Sequence, residues 1–133
     1  MLYLEVLIGT IAAFLLGMLW YTALFGKAWQ AETKLTDEEA NSNMVMVHGL
    51  AFLMMFVLSN GVNFIINMHT LEEQTFSHGA LHGAMAAAMF ALPAVAINYL
   101  YQRKSLKLFL IDGAYLILYL ALSGGVMAAL KLG

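Results

Sequence analysis

Cysteine is absent from this chain, proline occurs once, and charge is scarce. Without cysteine there is no disulfide framework, no thiolate nucleophile and no thiolate metal site, so nothing marks a redox compartment. Charged residues make up 11% of the 133 and hydrophobic ones 62%. A soluble domain carries about a quarter charged and roughly half apolar residues. A net charge of −2 offers no electrostatic case for nucleic acid. Also missing are a Gly-x-Ser-x-Gly elbow, a Walker loop, a nucleotide fingerprint and a calcium loop. No repeat of 20–50 residues is visible, and residues 1–133 read as one domain.

What fills the chain instead is apolar sequence in four runs, about 3–25, 44–67, 79–100 and 107–130. At 1.5 Å per residue, about 20 residues cross about 30 Å of hydrocarbon. The runs predict an all-α fold, an integral membrane four-helix transmembrane bundle. The first run is not a secretory signal, since no basic residue precedes it and no small-x-small cleavage site follows. Lys27, Lys34, Arg103, Lys104 and Lys107 lie at one end of the expected helices and only Lys131 at the other. The positive-inside rule then puts both termini on the outer, non-cytoplasmic side.

The first helix ends in Gly-Met-Leu-Trp-Tyr-Thr-Ala-Leu-Phe-Gly-Lys-Ala-Trp-Gln, residues 17–30. Trp20, Tyr21 and Trp29 suit the headgroup region, and Lys27 can reach lipid phosphates, so the stretch reads as an interfacial anchor. The pattern Trp20-Tyr21, then Phe25-Gly26-Lys27-x-Trp29, after a helix containing Gly17, resembles the domain-of-unknown-function family 1761. The run from Leu108 to Tyr115, with Asp112-Gly113 at its centre, is similar to that family too. The resemblance covers nearly the whole chain. It implies a small four-helix prokaryotic protein of the cytoplasmic (inner) membrane, and supplies no activity, cofactor or functional residue.

Thr36-Asp37-Glu38-Glu39 carries a capping-box pattern that predicts the start of helix two, and Thr70-Leu71-Glu72-Glu73 repeats it before helix three, with Ser77 as a competing cap. Pro93 is expected to bend helix three. Gly9, Ala13 and Gly17 line one face of helix one, and Gly79 and Gly83 open helix three. These smooth faces let another backbone approach closely, within one bundle or between protomers. The ten methionines are scattered and read as core fillers rather than a copper relay.

Polar residues in the apolar runs fall into two groups by depth. Toward the cytoplasmic side lie Tyr21, His48, Asn98 and Asp112, with Tyr115 and Tyr119 continuing the face of Asp112. Asp112 lies about 10 Å into helix four if Ser105 caps it. A carboxylate at that depth needs a partner, and His48 is the residue expected to supply it, against capture by Lys107 or Arg103. Toward the outer side lie Glu5, Asn60, Asn63, Asn67, His78 and His82. Hydrogen bonding among these asparagines, histidines and Glu5 is the first expectation; against it, imidazoles at i and i+4 can share a metal, with Glu5 as an oxygen ligand. The pair lacks the glutamate that follows the first histidine in a metalloprotease helix.

Three function classes follow. The small-residue faces favour an interaction or accessory protein that self-associates as a homo-oligomer or binds another membrane protein and lipids. The alternative is an oligomeric small transporter or channel using Glu5, Asp112 or both. A membrane enzyme acting on a hydrophobic ligand near Asp112 and His48, or a metal-binding protein, comes third. No cofactor is expected.

Overall fold

The computed structural model describes residues 2–130. Lys131, the basic residue counted at the terminal end, lies outside the described residues. α1 spans Leu2–Leu19 and continues as a π turn over Trp20–Leu24. α2 (Gly26–Thr33) and α3 (Asp37–Ala40) are short, and α4 spans Met44–Ile66. α5 (Phe76–Ala86) passes through a second π turn, Ala87–Ala91, into α6 (Leu92–Tyr101), and α7 spans Leu106–Leu130. Four helices are long and apolar enough to cross a membrane: Tyr3–Leu24, Met44–Ile66, Phe76–Tyr101 and Leu106–Leu130.

Several helix ends differ from expectation for reasons of capping. Residues 26–33 form α2 rather than a loop, the break falling at Phe25. The Thr36–Glu39 capping box forms, but α3 lasts one turn; Asn43 then adopts a left-handed conformation before Met44. Thr70 donates its backbone N–H and hydroxyl to Glu73, yet no helix follows. α5 starts instead where the Thr75 hydroxyl accepts from the His78 N–H. At the end of α6, Arg103 turns left-handed, and the N–H groups of Arg103 and Lys104 close on the carbonyls of Leu100 and Tyr99, a Schellman ending. The Ser105 hydroxyl accepts from the Leu108 N–H and donates to Glu32, so it caps α7 and ties α2 to it.

α7 is the helix the others pack on, with buried residues from Leu108 to Ala128. Antiparallel contacts set the register: Gly9 meets Ser123 and Met127, Gly17 meets Tyr115, Gly79 meets Gly124, and Gly83 meets Leu120. A Cβ on Gly79 would collide with the Gly124 carbonyl, and one on Gly83 with the Leu120 carbonyl. Both obstacles are backbone and cannot move aside. The glycine faces are therefore occupied within the chain, with Ala13 fully buried beside them. α4 keeps an outward apolar face through Leu50, Met54, Val57 and Phe64.

Gly83→Ala should cost about 1–3 kcal/mol from overpacking, whereas Gly61→Ala, with nothing within 4 Å of its added methyl, should gain up to about 1 kcal/mol from helix propensity. Denaturant titration of helicity in mixed micelles separates the two. Equal effects would contradict the α5–α7 contact.

Candidate functional site

The chain concentrates its chemistry at three places. At the basic end, both oxygens of Asp112 accept phenol hydroxyls. Tyr21 of the first π turn donates over 2.6 Å, and Tyr99 of α6 makes a second, short bond. Asp112 thus fastens α1 and α6 to α7. Lys104 stands over the Tyr99 ring, its Nζ 5.1 Å from the centroid. Trp20 is buried and donates its indole N–H to the Ile111 carbonyl over 3.1 Å. Trp29 packs edge-on against Tyr21 at 5.8 Å. Of the expected anchor, Trp20 and Tyr21 therefore face protein, while Lys27 is exposed.

His48 is not the partner of Asp112. Its Nδ1 pairs with the Met44 carbonyl and its ring lies edge-on to Phe14. Asn98 is exposed, and the neighbouring Tyr99 takes the place expected of it. The second π turn explains the exchange. In an unbroken α-helix Tyr99 would point about 160° around from Gly83, at about 100° per residue. One extra residue brings it to about 60°, the α7 side. Pro93 supplies the reason for the turn, since its ring clashes with the carbonyl four residues back, and the Leu92 N–H reaches Ala87 instead.

At the terminal end, Glu5 (1% exposed) accepts from Asn63 Nδ2 over 3.0 Å, joining α1 to α4. Asn63 Oδ1 and Ser59 Oγ, one turn below it, are buried without a hydrogen-bond partner. Asn67 is exposed at the end of α4 and does not join this site. Tyr115 and Tyr119 stack at 5.7 Å, and donate to the carbonyls of Ala13 and Met55. Gly17 makes the room for the Tyr115 hydroxyl. Tyr115 also meets Tyr21 edge-on at 5.2 Å, so aromatic contact runs from Tyr119 to the Asp112 site.

The third place is the loop before α5. His69, which sequence reasoning missed, joins His78 and His82, and their ligating nitrogens lie within 4.8 Å of one another. Glu5, the oxygen ligand expected there, is engaged by Asn63 instead. His69 sits beyond the end of α4 and shares no helical period with the other two; the one available hint was its closeness in sequence to His78. Thr70 holds the Glu73 carboxyl below the usual glutamate range, with His69 and His78 adding to the effect. Two cavities, of about 460 and 330 Å³, lie at the basic end beside Lys27 and Lys107, and neither is lined by Glu5 or Asp112.

Tyr21→Phe and Tyr99→Phe each remove one donor from Asp112. Each should cost about 1.5–3 kcal/mol, the range for a hydrogen bond to a charged group, and the double variant should depart from the sum because both act on one carboxyl. Additive, near-zero losses in micelle unfolding would show that these phenols do not hold the carboxyl.

No curated protein and no solved structure matches this chain. The family described as protein of unknown function (DUF1761) matches residues 4–128. With that match spanning the packed helices and both carboxyl sites, the chain belongs to the DUF1761 family.

Proposed function

We propose that this is a small multi-pass protein of the prokaryotic cytoplasmic membrane that moves protons between two buried carboxyl sites, Glu5 and Asp112. One observation carries the reading: a file of polar side chains through the packed core. It passes from Glu5 to Asn63 and Ser59, on through Tyr119 and Tyr115, and reaches Tyr21 and Asp112. Ionisable groups inside membrane helices are costly to keep, which makes function their first explanation. The unpartnered Asn63 Oδ1 and Ser59 Oγ mark a polar break in the core where an internal water would find partners. The Tyr115 and Tyr119 hydroxyls donate to backbone carbonyls, so passage there requires them to rotate. On the charge bias of the loops, Glu5 faces outward.

A second reading, the interaction or accessory protein, loses its first support because the glycine faces are filled within the chain. It keeps another in the bare face of α4, where Val45, Leu50, Met54, Val57 and Phe64 are exposed. Lipid covers such a face in a lone protomer, and a second copy of the chain covers it in a homo-oligomer. Cysteine placed at Val57 of this cysteine-free protein should then crosslink between copies in native membranes. Crosslinking no stronger than at exposed Leu81 would remove that support.

Proton movement is tested in vesicles holding a pH-sensitive dye, under a potassium diffusion potential. The wild type should acidify the lumen faster than empty vesicles. Glu5→Gln and Asp112→Asn should each slow this at least tenfold while eluting as the wild type does. Normal flux in both variants sinks the carboxyl mechanism.

A further inference from the structure

We infer that His69, His78 and His82 form a binding site for a zinc-class transition-metal dication at the terminal end of the helices, with one coordination position left open. The three imidazoles come from two elements, His69 from the loop after α4 and the others from successive turns of α5. Ring centroids stand 4.5–4.6 Å apart in all three pairs. His78 Nε2 and His82 Nε2 are 2.9 Å apart, and all three ligating nitrogens fall within 4.8 Å. A tetrahedral ion with metal–nitrogen bonds of about 2.0–2.1 Å holds its nitrogens about 3.3 Å apart. The measured pair at 2.9 Å is slightly closer than that value, and the 4.8 Å limit on the others keeps all three nitrogens within reach of one ion.

The surroundings favour this chemistry. His69 Nδ1 lies 3.1 Å from the Ile65 carbonyl. Donation of Nδ1–H to that oxygen leaves the Nε2 lone pair free, the orientation that backbone carbonyls impose on metal-binding histidines. Gln74, itself buried, donates to the His69 carbonyl and steadies the loop. Thr70 holds the Glu73 carboxyl below its usual range, and this carboxylate is near enough to His69 and His78 to feel their charge. The rings are half-buried, so an ion reaches them from solution. All three ligands are nitrogen, which suits zinc, copper or nickel rather than calcium or magnesium. Three protein ligands with an open position characterise zinc sites that bind water or substrate, rather than closed structural sites. The site also bridges α4 and α5, so an ion there would fasten that hairpin.

The full-length protein, purified without a polyhistidine tag and chelator-treated in lipid nanodiscs, is titrated with Zn²⁺ by calorimetry and with Co²⁺ by visible absorption. The wild type should bind one equivalent of each, with a tetrahedral cobalt spectrum and a raised thermal midpoint in zinc. His69→Ala, His78→Ala and His82→Ala should each weaken Zn²⁺ at least tenfold and abolish the midpoint shift, while Glu5→Gln binds as the wild type does. Circular dichroism checks that each variant is folded; if one is not, the other two carry the comparison. Substoichiometric wild-type binding, or unchanged binding in folded His69→Ala, overturns the site. Proton flux in the Zn²⁺-free protein is a separate readout, so either inference can fail alone.

Discussion

The backbones of α5 and α7 touch where Gly79 faces Gly124 and Gly83 faces the Leu120 carbonyl. In lipid, helices gain little from burying apolar side chains against one another, because acyl chains are equally apolar; close packing and hydrogen bonds must hold them. A contact with no side chain on either helix gives the closest approach and the least freedom of register. That register places what lies beside it. His78 and His82 each precede one of these glycines, so seating the glycines on α7 sets the imidazoles toward the loop that carries His69. At the far end, the same seating fixes where α6 emerges and thus where Tyr99 meets α7.

Polar fasteners complete what glycine packing begins. Asp112 ties α7 to α1 and α6, Glu5 ties α1 to α4, and Tyr115 and Tyr119 pin α7 to backbone carbonyls of α1 and α4. Each of the four long spans is thereby attached to another by at least one side-chain hydrogen bond, the third of them through Tyr99. The phenols about Asp112 have rings packed on other aromatics and hydroxyls turned to acceptors, the division of labour that suits tyrosine at buried sites. A residue kept for structure and a residue kept for proton movement can therefore be the same one here. On the proposed proton path, its removal would register in both stability and flux.

The four long helices were legible because hydropathy over some twenty residues is a bulk property that single contacts do not disturb. The small-residue faces were legible too, since periodicity marks them, although it does not say whether the neighbour is the same chain. Details that depend on one residue were not. Thr75 outcompetes Ser77 and Thr70 as the cap of α5, and all three are acceptable caps by type. Asp112 was marked by its depth and Tyr21 was grouped with it, but the second partner was hidden: His48 faces Phe14, and Tyr99 faces α7 only because a π turn adds a residue that helical counting omits. His69 escaped because loops have no period, and its place depends on where Gln74 and Ile66 hold its backbone and the Ile65 carbonyl its ring.

The π turn at Ala87–Ala91 separates two kinds of freedom. Met89, Phe90, Ile97 and Leu100 are exposed, and any apolar side chain would serve against lipid at those positions. Straightening the turn into regular α-helix without deleting a residue would swing the rest of the helix by about 100° and carry Tyr99 away from Asp112. Deleting one residue there would restore α geometry and leave Tyr99 about 60° from Gly83, still toward α7. Along this segment the extra residue and the turn that absorbs it go together, and Tyr99 keeps its face only when both are present or both are absent.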